Sequence, residues 1–138
     1  MASKQQQSGM RGVYLAAAEL SGRGFIVSPT SRSALGADLL VTDASCQKAF
    51  SVQVKTSGRP AAFWLLSGKA RGLTSRSHIY IFVQLKPEGE APEYYVVPSR
   101  VVSTRMETQR RGDYSWYSFP KAVARRYQDR WGILRKPR

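Results

Sequence analysis

A small α/β domain around a mixed β-sheet is the fold this sequence predicts, and three observations predict it. A helical pattern opens the chain, strand-like runs follow and a second helical pattern closes it, all within 138 residues. The run 79–85, Ile-Tyr-Ile-Phe-Val-Gln-Leu, is apolar almost throughout, as a central strand covered on both faces would be. The run 49–55 alternates, so Phe50, Val52 and Val54 would face a core while Ser51, Gln53 and Lys55 face the other way. The length suits one domain with a real core and is too short for most doubly wound enzymes.

The elements follow in order. Residues 1–8 are polar and Gln-rich and read as a disordered arm; 9–132 form the single domain; 133–138 read as a mobile basic tail. Over 9–23, Met10, Val13, Tyr14, Ala17 and Leu20 recur at helical spacing, with Ser8 as N-cap and Gly24 as stop. A short strand over 25–28 is closed by Pro29, and a polar loop leads to a strand over 38–42. A turn over 43–48 joins that strand to 49–55, so the two form an antiparallel hairpin. Gly58 and Pro60 mark a loop, 63–66 is short and apolar, and 67–73 suits a short helix. After the central strand come a turn, a strand over 94–97 and a helical turn over 98–102. Residues 107–118 read as a charged loop. Phe119, Val123, Tyr127 and Trp131 recur every four residues, which predicts a closing helix over 119–131 packed through that stripe.

Composition bounds the function. Lys and Arg total 22 against 9 Asp and Glu, a formal net charge of +13, and a field of that sign attracts polyanions. Arg outnumbers Lys 15 to 7, and its planar fork matches phosphate. A single cysteine, Cys46, excludes an internal disulfide and a Cys-based zinc site; with one histidine, His78, a histidine-rich metal site is excluded too. Both read as structural residues. No apolar run reaches membrane-spanning length, and the first nine residues hold no apolar signal core. The expectation is a cytoplasmic, nucleoid-associated protein. No Gly-rich phosphate loop follows a strand, since Gly22-Arg23-Gly24 precedes one.

The hairpin carries the chemistry. Gly36-Ala37-Asp38 starts one strand, and Gln53-Val54-Lys55, fifteen residues beyond Asp38, ends its partner. A carboxylate, an amide oxygen and an ammonium converging at one end of a hairpin suit a divalent metal and a phosphate better than a core. Read alone, Lys55 is an exposed strand-end lysine; opposite Asp38 and Gln53 it reads as a site residue.

With the opening helix and the apolar strand beyond, these motifs resemble the PD-(D/E)XK nuclease superfamily, nearest its Mrr-like and archaeal Holliday-junction-resolvase-like branches. The motifs span roughly 9–56, and the strand order extends the likeness to about 99. The resemblance implies a restriction-endonuclease-like fold, a mixed central sheet flanked by helices, and a metal-dependent endonuclease or Holliday-junction-resolvase-like phosphodiesterase. It implies Asp38, Gln53 and Lys55 as catalytic residues. Mg²⁺ or Mn²⁺ would be held by Asp38, Gln53 and the Val54 carbonyl. It also implies DNA, including branched DNA, as partner, and a homodimer, because symmetrical junctions need two active sites.

Two departures bear on activity. Gln53 stands where Glu or Asp is usual, so the metal loses one anion, although active QxK branches exist in the family resembled. Val13, after Gly12, stands where relatives often carry a glutamate; Glu19 is six residues on, about 120° around the helix, and is either a further ligand or a solvated charge. Candidate DNA contacts are Arg32, Thr56, Ser57, Arg59, Lys69, Arg71 and Arg76, all in or beside loops flanking the hairpin. Trp64 reads as packing. The alternatives to an enzyme are a non-catalytic nucleic-acid-binding module on the same fold and a small interaction protein whose charge meets an acidic partner.

Overall fold

The computed structural model describes residues 3–31 and 36–135. Their order is α1 (Lys4–Gly22), β1 (Ile26–Pro29), β2 (Leu39–Thr42), β3 (Ala49–Ser57), β4 (Phe63–Leu66), a 3₁₀ turn (Gly68–Arg71), β5 (His78–Gln84) and β6 (Glu93–Pro98). Then come α2 (Ser99–Arg105), β7 (Glu107–Arg111), β8 (Tyr114–Pro120), α3 (Lys121–Ala124) and two further 3₁₀ turns, Arg125–Tyr127 and Trp131–Leu134.

Two sheets form. The larger has the order β1-β2-β3-β5-β6 and is antiparallel except where β3 lies parallel to β5; the smaller, β4-β8-β7, is antiparallel. Every residue of β5 is buried, and the two packing clusters give the reason. Ile79, Ile81 and Val83 face α1 together with Val52 and Val54, while Tyr80 and Phe82 face the small sheet, α2 and α3. The period of two along the strand thus divides one apolar run between two cores. The expected mixed sheet flanked by helices is the architecture found.

Five expectations change. The first helix starts at Lys4, capped by Ser3 in a reciprocal box with Gln6, so Gln-rich residues expected as an arm are helical and Ser8 is not the cap. The buried stripe of α1 is Gly12, Val13, Ala16 and Leu20, and Tyr14 is exposed. Residues expected as a charged loop form the β7–β8 hairpin: β7 is exposed along its whole length, so no apolar alternation marks it. The closing helix is only Lys121–Ala124. The chain tightens to 3₁₀, turns extended at Gln128 and passes through a left-handed Asp129 (φ 55°).

That break lets the chain round the edge of β6, where Gln128 pairs with Tyr95 and the Asp129 amide donates to the Tyr94 carbonyl at 2.9 Å. The supposed stripe is thereby split, with Phe119 buried in one core and Trp131 in the other, against Tyr94. The tail expected from 133 is packed as far as Arg135: Leu134 is fully buried and the Arg135 guanidinium lies over Phe25. The remaining tail, residues 136–138, lies outside the described residues, as do Met1 and Ala2. Among the described residues no helix is long and apolar enough to cross a membrane.

Candidate metal and phosphate site

The hairpin register decides what meets what. Leu39 pairs with Val52, which sets Asp38 opposite Gln53. The Asp38 amide donates to the Val52 carbonyl at 2.8 Å, and the Thr30 amide donates to the Asp38 carbonyl at 2.9 Å, so the backbone that carries the carboxylate is held from both sides. Asp38 Oδ2 accepts from the Val54 amide at 2.9 Å and from Gln53 Nε2 at 3.1 Å. Half-buried Asp38 and Gln53 are thus brought together with the buried Val54.

The Val54 carbonyl is placed by the same ladder. Odd residues of β3 bond to β5, as the Ser51 amide to Ser77 and the Leu85 amide to the Ser57 carbonyl show. Even residues therefore turn their backbone groups to the opposite edge. Asp38 takes the Val52 carbonyl and the Val54 amide there, and β2 begins only at Leu39, so the Val54 carbonyl lies along that edge beside the Asp38 carboxylate. Carboxylate, backbone carbonyl and side-chain amide make an all-oxygen donor set once the Gln53 amide turns its oxygen inward. That set fits a hard cation that keeps several waters. Asp38 supplies the one carboxylate; no group of three or more His, Cys, Asp or Glu side chains lies close enough to hold a metal among the described residues.

Lys55 extends the same face, two residues beyond Gln53. Burial pulls its ammonium below the usual lysine range, and the Asp38 charge offsets part of that. It opens into a cleft of about 1000 Å³, bounded by β4 residues Phe63 and Trp64, the loop through Arg59, and Lys4, Gln5 and Ser8 of α1. Gly12 sets this geometry, since a Cβ there would stand 1.8 Å from Thr56 Oγ1. Only glycine lets α1 lie so close to the end of β3.

Two features of the cleft escaped the sequence reading. The first turns of α1 form one wall. Gln84, fully buried, pins the other: its Nε2 donates to the carbonyls of Arg59 (2.9 Å), Ser57 (3.3 Å) and Leu85 (3.1 Å). A lone amide ending an apolar strand was the available signal. Trp64 packs as expected, against Phe82 and Tyr95, with its indole N–H donating to the Val83 carbonyl at 3.1 Å.

The remaining candidates disperse. Arg59 lines the cleft. Ser57 also lines it, but its hydroxyl donates to the Arg59 carbonyl at 2.6 Å. The Thr56 hydroxyl is buried against Gly12 without a hydrogen-bond partner. Lys69 and Arg71 lie on the 3₁₀ turn packed on α2, where the Arg71 guanidinium bonds Thr108. Arg76 precedes the start of β5, six residues before Phe82, which pairs with Lys55. It lies in the turn before His78, and His78 is itself about 13 Å along the strand from Phe82, so Arg76 is away from the cleft. Arg32 lies outside the described residues. Glu19 forms an ion pair with Arg23 at 2.9 Å, and burial, with the Glu19 charge second, raises the Tyr94 hydroxyl; Val13 is buried in the core.

This arrangement sits on a fold shared with known nucleases. Over 98% of its length the chain superposes on 94% of the bacterial homing endonuclease I-Ssp6803I, with TM-score 0.58 and 19% identity. Over 85% it superposes on 87% of Hjc, a Holliday junction resolvase from the archaeal hyperthermophile Archaeoglobus fulgidus, with TM-score 0.51 and 14% identity. No protein-family model matches the sequence, and no curated protein matches it closely. The fold is therefore one shared with a homing endonuclease and a Holliday junction resolvase.

Proposed function

We propose that the protein is a metal-dependent DNA endonuclease that hydrolyses the phosphodiester backbone, with branched DNA among its substrates and a homodimer as the acting form. One observation carries the reading: Asp38 Oδ2 holds both the Gln53 amide and the Val54 amide at the strand end from which Lys55 enters the cleft.

Asp38, the Val54 carbonyl and the Gln53 amide oxygen would hold Mg²⁺ or Mn²⁺, which supplies a more acidic bound water and neutralises phosphate charge. Lys55 meets the phosphate oxygens or the attacking water; its lowered proton affinity suits the second role, because it gives up a proton more readily than a free lysine. Arg59 and Lys4, from opposite walls, hold the flanking backbone. The net charge of +13 speeds encounter with DNA.

Purified protein with linear, branched and single-stranded DNA in Mg²⁺ or Mn²⁺ tests this. Cleavage is expected, and it should be lost in Lys55→Ala. Cleavage of no substrate, or undiminished cleavage by Lys55→Ala, overturns it. A second reading, a non-catalytic DNA-binding module, is favoured by Gln53 donating to Asp38 instead of adding a second anion. Salt-dependent binding with no cutting in either metal would select it.

A further inference from the structure

The outer face of the small sheet is unusually apolar. Phe63 is 48% exposed, Leu65 51%, Tyr114 67% and Trp116 52%. Pairing puts them on one side: Leu65 lies opposite Ser118, and Trp116 and Tyr114 follow Ser118 at steps of two, while Trp64, Tyr117 and Phe119 turn inward. The face continues into the Lys55 cleft, since Phe63 and Leu65 border that cleft and Leu65 also borders the hollow beside Tyr114 and Trp116. Arg111 is paired beside Tyr114 and Arg59 stands at the cleft end, while Gln109 lies beside Trp116 and Glu107 beside Ser118 farther along the face.

We infer that this face is a stacking platform for unpaired bases, which threads a single-stranded segment of the substrate away from the cleft. The inference rests on the nuclease reading and specifies its substrate as DNA with unpaired nucleotides beside the cut. Aromatic faces inside a basic track hold single strands without reading sequence. Tyr114 and Trp116 stand about 6.8 Å apart along their strand, twice the spacing of about 3.4 Å between stacked bases in a duplex, so they suit bases drawn apart.

The experiment is binding of end-labelled oligothymidylate and of a matched labelled duplex in EDTA, with affinities read by anisotropy of the label, which needs no cleavage and so separates this inference from the catalytic one. Trp64 and Trp131 are buried, so quenching of tryptophan fluorescence reports Trp116. The expected result is quenching by the single strand, weaker binding of the duplex, and about a 10-fold or greater loss of single-strand affinity in Trp116→Ala. Trp116→Phe should keep most of that affinity. Circular dichroism melts check that the variants fold. Equal affinity for both DNAs, or affinity unchanged in Trp116→Ala and Tyr114→Ala, overturns the inference. So does a solution mass that falls in Trp116→Ala while DNA affinity holds, which would make the face an interface between copies.

Discussion

Two polar pairs stand on one face of β3 and meet opposite fates. Toward the start of the strand Ser51 Oγ lies 2.7 Å from His78 Nδ1; from its midpoint onward, Gln53 bonds Asp38 and Lys55 feels the Asp38 charge. His78 is buried, and its Nε2 has no hydrogen-bond partner. Lys55 opens into a cleft. Alternation assigns Ser51, Gln53 and Lys55 the same side, so the strand pattern does not separate them. The separation comes from the surroundings: one end closes over its polar pair, and the other leaves the ammonium a solvent-filled space large enough for a ligand.

The comparison predicts that variants at the open end lose activity and keep stability, and that variants at the closed end do the reverse. The largest effect belongs to Asp38→Ala. Cleavage rates in Mg²⁺ should fall on the order of 10³-fold or more, with only a modest drop in melting temperature.

Next is Lys55→Met, which should lower cleavage by about 10²- to 10⁴-fold without lowering the melting temperature, because a partly buried charge is removed. Its pH dependence has a definite sign. Burial lowers the folded-state pKa, so the unfolded chain binds the extra proton and wild-type stability rises with pH as 10.5 is approached. The stability advantage of Lys55→Met should therefore shrink in that range in urea melts; a constant gap would break the assignment.

Gln84→Leu removes two hydrogen bonds to the cleft wall, at Ser57 and Arg59, and one to the Leu85 carbonyl, and should cost about 1–3 kcal/mol in urea unfolding. It should also weaken DNA binding through the loosened Arg59 loop. Smaller still is the closed end. Burial depresses the His78 pKa below 6.5, against a partial offset from Ser51. The unfolded state then binds more protons, so this contribution is intact above pH 6.5 and is lost as pH falls toward the folded pKa, at no more than about 1.4 kcal/mol per pH unit. His78→Phe should flatten that part of the stability profile and leave cleavage unchanged.

Gln53→Glu sharpens the open end. A second carboxylate beside Asp38 should lower the melting temperature in EDTA and restore it in Mg²⁺ or Mn²⁺. No metal-dependent shift would argue against a cation between these residues.

The candidate site was legible where chemistry follows the chain. Asp38, Gln53 and Lys55 were marked by residue type at hairpin spacing, and their meeting needed only the register of two adjacent strands. Residues whose role depends on a distant element were not legible. Gln84 matters because a loop twenty-five residues earlier in the chain lies over it. Lys4 and Ser8 matter because α1 runs back along β3, and Arg76 falls away because β5 starts at the far end of the sheet. A four-residue recurrence suggested a closing helix, yet it was shared between two cores, and periodicity carries no record of which core each residue joins.

What the sequence determined by itself was local: the alternation of β3, the double burial of β5, the Asp38 hairpin and a basic surface. These follow from side-chain type at fixed spacing, which a strand turns directly into faces. Only the tertiary structure decided that the exposed β7 pairs with β8, that the chain rounds β6 to place Trp131 under α1, and that Gly12 brings a helix against Thr56 to wall a cleft. Each of these rests on contacts between residues far apart in the chain, where packing and backbone hydrogen bonding outweigh local preference.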